Sequence, residues 1–257
     1  MNTISNSQST LNTISERFYL LSKSIHLNYL FIFSSTLLIV ALSIVCPSQK
    51  NCNMLSNIIT GFLSFFVAMF FGYYVHYACH KWNSTYVYNR FSQKSLVKQI
   101  IPSFIHRIFE VLNWFNDFHD KIHHDTSINR TWKNLCIEFG MNIYVEGLYL
   151  ILLNKLLGLR IAFHSYTCRF NNAIFLAWGL LYATTHIINY NIITPTCHIQ
   201  HHLKNNTNYG VDYVDIILGT KYDETIENMN HASINILCIM IFILLLRDNS
   251  VIHWLIK

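Results

Sequence analysis

Two long apolar stretches near the start of the chain are separated by a short polar segment. Residues 27–46 and 58–78 are each long enough to cross a hydrocarbon core of about 30 Å as a helix. The polar segment at 47–57 is too short for anything but a turn. The pattern therefore predicts a helical hairpin whose two membrane spans run in opposite directions.

Three further apolar stretches follow in the second half of the chain. Residues 136–157 carry three charged side chains, whereas residues 173–193 are more uniformly apolar. These two stretches either form a second hairpin or lie partly re-entrant. Residues 233–246 are apolar but short for a full span, so they either pack against the bundle or lie in the interface. The pattern as a whole predicts an all-α, multi-span integral membrane helical bundle.

The polar parts of the chain indicate its organisation and its orientation. Residues 1–25 are predicted to be a flexible polar tail, and residues 26–257 a membrane domain. Residues 79–135 hold eight of the 18 Lys and Arg residues, whereas the segment at 47–57 holds one. By the positive-inside rule, 79–135 is cytosolic. We expect a multi-pass protein of the endoplasmic reticulum or an equivalent membrane.

Composition agrees with membrane burial and excludes several other classes. Hydrophobic residues make up 52% of the chain and charged residues 12%, about half the charge of a soluble domain. The net charge of +5 comes from scattered basic residues, so nucleic-acid binding is not expected. The seven cysteines contain no CxxC pair, which argues against a zinc ribbon. We expect free thiols, with a Cys46–Cys52 pair as the alternative if that loop faces an oxidising lumen.

Histidine is the chemically informative residue, with fourteen copies in the chain, most of them in clusters. His76 and His80 have the spacing HxxxH, and residues four apart share one helix face. The middle cluster is His119, His123 and His124, and the last is His198, His201 and His202 in the pattern HxxHH. His186 lies alone, twelve residues before the last cluster. Imidazole suits Fe, Zn, Cu and Ni, and three clusters at ligand spacing favour a metal site.

The clusters and the residues after them resemble the fatty acid hydroxylase and sterol desaturase superfamily. The most specific match is His198-Ile-Gln-His201-His202, followed by Asn208-Tyr209-Gly210, Asp215 and Gly219-Thr220; it looks most like the C-5 sterol desaturase branch. The resemblance covers about residues 60–225. It implies a His-rich di-metal site at the cytosolic face. The implied ligands are His76, His80, His119, His123, His124, His186, His198, His201 and His202.

One departure from the family pattern concerns the middle cluster. The family's middle box is HxxHH, which would place Asp120 at the first position, directly after His119. Either a helix distortion brings His119 to the metal, which we favour, or Asp120 replaces it as an oxygen ligand. Glu138 and Glu146 either support ligating imidazoles or, as we expect, snorkel or pair with a basic residue.

The resemblance also implies the chemistry and its partners. Two iron ions would use O₂ to hydroxylate or desaturate a hydrophobic lipid, either a sterol or a fatty-acyl lipid. The electrons would come from a cytochrome b5-type donor and its reductase. Three alternatives remain: an acyl-chain desaturase, a metal-binding or haem-binding membrane transporter, and a degenerate protein that binds lipid or metal without catalysis.

Overall fold

The computed structural model describes most of the chain as an assembly of helices. The described residues are 13–49, 51–81, 113–114, 119, 124, 131–163, 166–204 and 207–257. The α-helices among them are α1 (Ile14–Leu27), α2 (Tyr29–Val45), α3 (Met54–Lys81), α4 (Trp132–Ile143), α5 (Tyr149–Leu157), α6 (Asn172–Thr184), α7 (Tyr190–Ile193), α8 (Thr196–Leu203), α9 (Asp212–Leu218), α10 (Ser233–Leu246) and α11 (Ser250–Ile256). The fold of this part of the chain is mostly helical, in agreement with the apolar pattern.

Several helices are long and apolar enough to cross a membrane. They are Met54–Lys81, Trp132–Leu157 and Met229–Leu246, together with the bent pair of α1 and α2. The third helix reaches span length because a 3₁₀ turn at Met229–Ala232 precedes α10. The apolar stretch at 173–193 does not qualify as a span. It forms the centre of the bundle instead, and most side chains of α6 are buried.

Helix α1 begins inside the segment that the sequence predicts to be a tail. Thr13 and Glu16 form a reciprocal capping box, which satisfies two amide groups at the start of the helix. The helix is bent by 76° from α2 at Asn28. The Asn28 side chain fixes this bend, because it donates to the Glu227 carbonyl (3.0 Å) and accepts from the Met229 amide (2.7 Å). Residues 14–25 are therefore helical.

Two π-helical segments interrupt the long helices. Tyr144–Leu148 joins α4 to α5, and Thr185–Asn189 joins α6 to α7. Such segments insert a residue into the helical repeat and are frequent at functional sites. The first segment crosses α6 closely, since a Cβ added at Gly179 would lie 2.8 Å from the Gly147 Cα atom. Glycine at both positions allows this crossing.

A disulfide joins two turns at the end of the bundle where α2 meets α3. Cys52 precedes α3, and Cys168 lies in a short antiparallel hairpin of β1 (Arg160–Phe163) and β2 (Tyr166–Arg169). The expectation of seven free thiols is therefore wrong, and so is the alternative Cys46–Cys52 pair, since Cys46 is a buried free thiol. The partners are separated by 116 residues, so only the tertiary fold brings them together.

Candidate metal centre

Five imidazoles from three parts of the chain meet at the far end of α3. They form the first imidazole group: His76, His80, His119, His124 and His201, whose ligand atoms all lie within 4.8 Å of one another. His76 and His80 occupy successive turns at the end of α3, and His201 comes from α8. The first cluster, the middle cluster and the last cluster of the sequence thus contribute to one site.

Main-chain carbonyl groups orient two of these rings. His76 Nδ1 lies 2.7 Å from the Tyr209 carbonyl oxygen, and His201 Nδ1 lies 2.7 Å from the Thr207 carbonyl oxygen. A carbonyl oxygen only accepts, so each Nδ1 carries the proton and donates it. The lone pair of each neutral ring is therefore on Nε2, as a metal ligand requires.

Asp215 holds the loop that supplies these carbonyl groups. Its carboxylate accepts from the Tyr209 and Gly210 amides, each at 2.9 Å, and from Thr220 Oγ1 at 2.7 Å. Gly219 has a φ of 73°, which lets the chain turn back after α9. The residues that follow the last cluster thus have a physical role, because they fix the carbonyl that orients His76.

A helix distortion brings His119 into the site. The His124 amide donates to the His119 carbonyl at 3.1 Å, a hydrogen bond between residues five apart. This is the π-helical pattern, and it places His119 and His124 on one side of the turn. Their Nε2 atoms are 3.0 Å apart, and His119 Nε2 is also 3.0 Å from His80 Nε2. His123 and Asp120 lie outside the described residues.

A second imidazole group, consisting of His186, His198 and His202, borders the first. The Nε2 atoms of His198 and His202 are 2.9 Å apart, and the His186 ring centroid is 4.6 Å from that of His198. The His202 and His124 ring centroids are 4.7 Å apart, so the two groups are contiguous. Glu138 Oε1 lies 3.8 Å from His186 Nε2.

The two buried glutamates do not snorkel. Glu138 and Glu146 are each 4% exposed, so the expected position of their carboxylates near the interface is wrong. Glu146 accepts a hydrogen bond from Trp178 Nε1 at 3.1 Å. Glu138 instead contacts an imidazole of the second group, which is the supporting position that the sequence offered as the alternative.

The spacing of the first group fits a metal ion. Four Nε2–Nε2 distances among His80, His119, His124 and His201 are 3.0 to 3.2 Å. Neighbouring ligands of a six-coordinate ion with metal–nitrogen bonds of about 2.1 Å lie about 3.0 Å apart. Structural zinc takes four ligands, so five imidazoles suit an ion with a larger coordination number better than structural zinc.

Three imidazoles of the first group that lie outside the spans are uncharged at neutral pH. Burial and the neighbouring His124 lower the pKa of His119 to about 2. Burial and the neighbouring His201 likewise lower the pKa of His124 to about 2. Burial lowers the pKa of His201, against the opposing effect of the Thr207 carbonyl. Neutral rings are the form that ligates metal, so the site is ready for a cation without losing protons.

A small cavity of about 60 Å³ lies beside both imidazole groups. Its walls include the imidazole ligands His76, His186 and His198 and the apolar side chains Phe31, Trp178 and Leu181. The arrangement places an apolar surface next to the lone pairs of the candidate ligands. It provides room for an apolar fragment of a substrate.

A second polar cluster lines the same cavity and contacts a lysine. Cys197, Asp212 and Glu227 bring ligand atoms within 4.8 Å of one another. Lys221 Nζ, however, lies 3.0 Å from Cys197 Sγ and pairs with Asp212. Burial lowers the pKa of Lys221, but Asp212 and Cys197 outweigh this and raise it. We therefore interpret this cluster as a buried ion pair that ties α8 to α9.

Sequence reasoning did not identify the supporting residues of the site. Every residue has a main-chain carbonyl group, so the residue types at Thr207 and Tyr209 do not reveal that these two orient imidazoles. Lys221 belongs to no recognisable motif. Of the isolated histidines, His231 contacts Asn189 Nδ2 at 2.9 Å and belongs to neither imidazole group. The stretch Asn208-Tyr209-Gly210 with Asp215 was the available signal, and its spacing matches the loop described above.

Comparisons of the chain with protein-family models, with curated proteins and with solved structures find no match. The resemblance to the fatty acid hydroxylase and sterol desaturase superfamily thus depends on the clusters and the Asn-Tyr-Gly stretch.

Proposed function

We propose that this chain is an integral membrane oxidoreductase that oxidises a C–H bond of a hydrophobic lipid with O₂ at a His-ligated di-iron centre. The observation that carries the proposal is the convergence of eight imidazoles in two contiguous groups beside a small cavity that is apolar on one side. Iron in such a site supplies the redox chemistry that an unactivated C–H bond requires. The motif resemblance is what favours iron, because imidazole also suits copper and nickel.

The residues of the chain have separate tasks in this proposal. The first imidazole group holds one ion, and the second group holds the other. Tyr209 and Thr207 keep His76 and His201 in the ligating tautomer. Phe31, Trp178 and Leu181 exclude water from the cavity and position the apolar part of the substrate.

The position of the site favours an oxidase over a transporter. A transport site is expected near the middle of the membrane, where broken helices meet. Here His76 and His80 lie in the last turns of a 28-residue helix.

The second candidate function is a degenerate protein that binds lipid without catalysis. The convergence of eight imidazoles in two contiguous groups argues for retained metal binding.

The disulfide supports an orientation for the proposed protein. About 39 Å of helix separates the start of α3 at Met54 from His80, which is more than a hydrocarbon core. Disulfides persist in oxidising compartments, so the end at Cys52 faces the lumen and the imidazoles face the cytosol. A membrane-impermeant thiol reagent, added with reductant to sealed microsomes, should leave Cys52 and Cys168 unlabelled. Labelling from the outside would reverse the orientation.

The electron donor in the proposal is a cytochrome b5-type protein with its reductase. Such a donor is acidic and would dock on the basic segment at 79–135, most of which lies outside the described residues. Neutralising Lys94, Lys98 and Arg107 together should lower donor-dependent turnover. Unchanged turnover would remove this docking site from the proposal.

Metal analysis of the purified protein tests the central proposal. We expect two irons per chain in the wild type and a large loss in His198→Ala. His253→Ala is the matched control, because His253 is exposed on α11 and should leave the iron content unchanged. With reductant and a lipid extract, the wild type should consume O₂ and yield a hydroxylated or desaturated lipid. Stoichiometric zinc without O₂ consumption would exclude an oxidase.

A further inference from the structure

An apolar groove of about 330 Å³ lies on the bundle between α1, α2, α3 and α9. Side chains from these four helices form its walls: Leu21, Ile25, Phe31, Ile32, Ser35, Thr36, Ile39, Phe62, Phe65, Phe66, Met69, Phe70, Tyr213, Val214 and Ile217. Twelve of these fifteen side chains are aliphatic, aromatic or thioether groups without a hydroxyl. The groove is separate from the cavity beside the imidazoles.

One side chain borders both the groove and the cavity. Phe31 lines each of them and is 2% exposed. Its ring centroid lies 6.4 Å from that of Tyr213, which lines the groove on the opposite helix. A rotation of Phe31 would therefore join the groove to the cavity that contains His76, His186 and His198.

The inner surface of the groove is almost entirely apolar. Ser35 and Tyr213 belong to its walls, but their hydroxyl groups are buried and do not face the groove. The groove therefore suits the apolar chain of a ligand rather than its polar end.

We propose that the groove binds one apolar chain of a membrane lipid, and that Phe31 gates its passage to the imidazoles. Most of the walls belong to α1, α2 and α3, which are long and apolar enough for a membrane, so lipid is the apolar molecule that they would meet there. The bend of 76° between α1 and α2 leaves the groove open beside Leu21 and Ile25. The binding step is independent of metal, whereas the role of the groove in substrate access rests on the proposed oxidase function.

Photo-crosslinking in phosphatidylcholine nanodiscs tests the binding step. The probe is a long-chain alcohol with a diazirine at mid-chain, and labelled peptides are identified by mass spectrometry. We expect saturable labelling of α3 around Phe66 and Met69. Thr36→Trp fills the groove and should lower this labelling at least fivefold. Leu37→Trp is the matched control, since Leu37 is 42% exposed on the same helix and lies outside the groove.

A further variant tests the gate. Phe31→Ala should extend the labelling to peptides that contain Trp178 or Met229, which line the cavity. Labelling that is non-saturable, equal in Thr36→Trp and Leu37→Trp, or unable to reach the cavity in Phe31→Ala would overturn the proposal.

The same measurement separates this proposal from the oxidase. His198→Ala should lose metal but keep saturable labelling, because the groove contains no imidazole. Groove binding without any oxidised product in the wild type would refute the oxidase and leave the groove intact. Oxidation at the wild-type rate in Thr36→Trp would refute the groove and leave the oxidase intact.

Discussion

Main-chain carbonyl groups orient the first imidazole group, whereas a side chain supports the second. His76 and His201 each contact a carbonyl oxygen at 2.7 Å, and Asp215 fixes the loop that carries both carbonyls. In the second group, His186 faces Glu138 at 3.8 Å and stacks on Tyr182. A carbonyl in a loop that is itself hydrogen-bonded moves less than a side chain. We therefore expect the first group to bind its ion more tightly.

Removing a ligand of the first group should have the largest effect. His201 is 1% exposed and lies between His76, His80 and His124, so His201→Ala leaves an incomplete ligand set. Loss of a supporting partner alone weakens a metal site about 10–100-fold, and loss of a ligand should exceed this. We expect at least one metal equivalent to be lost, measured by elemental analysis. Unchanged metal content would contradict the assignment of the first group.

Asp215 tests whether the loop acts through His76. Asp215→Ala removes two acceptor oxygens and the three hydrogen bonds they accept, so the Tyr209 carbonyl is no longer fixed. We expect metal affinity to fall about 10–100-fold in the folded protein, measured by competition with a chelator. Asp215→Asn retains one acceptor oxygen and should recover part of that affinity.

Asp212→Asn is the matched control for Asp215, because Asp212 is also buried on α9 but pairs with Lys221. This variant should lower the thermal stability of the protein without changing metal affinity. If both variants lose metal equally, the effect of Asp215 is general destabilisation and not the orientation of His76.

The spacing of the last cluster predicted its ligands but not their distribution. His198, His201 and His202 were expected on one helix face. In the structure His201 joins the first group while His198 and His202 form the second. Spacing within one helix cannot show which ion each ring serves, because that depends on rings from other helices. The orienting carbonyl of Tyr209 is 133 residues from His76, so no local pattern indicated it.

Other parts of the fold followed from the pattern to different degrees. The hairpin of α2 and α3 was predicted from two apolar stretches and a short polar segment, and helices form in both. The Cys52–Cys168 disulfide was missed because its partners are distant in sequence and have no paired spacing. His119 lies one residue before the first position of the HxxHH pattern, and a helix distortion was one of two explanations for this offset. The hydrogen bond from the His124 amide to the His119 carbonyl supports the distortion.

Glu138 provides a smaller test that is confined to the second group. Glu138→Gln keeps the size of the side chain but removes the charge that faces His186. We expect the weaker of two metal-binding steps to weaken by up to about tenfold, while the tighter step is unchanged. Glu146→Gln is the control, because Glu146 is equally buried but contacts Trp178. An effect on the tighter step would contradict the division into two groups.

The smallest expected effect is on the stability of the metal-free protein at acid pH. The pKa of His119 is about 2 in the folded state, because burial and His124 lower it, whereas an unfolded histidine titrates near 6.5. The unfolded state therefore binds more protons below pH 6.5, and stability falls as the pH falls through that value. At pH 5.5 the titration of His119 alone lowers the free energy of unfolding by about 1.4 kcal/mol. The half-buried His124 lowers it by less, because solvent screens its charge.

Thermal unfolding of the chelator-treated protein in detergent, at pH 7.5 and pH 5.5, measures this difference. We expect the melting temperature to be a few degrees lower at pH 5.5 in the wild type. His119→Leu lacks the titrating ring and should show a smaller difference, while His253→Leu should behave as the wild type because His253 is exposed. Equal pH dependence in all three proteins would mean that the first imidazole group is hydrated and protonates freely. Its rings would then not be buried in the neutral form that ligates a metal ion.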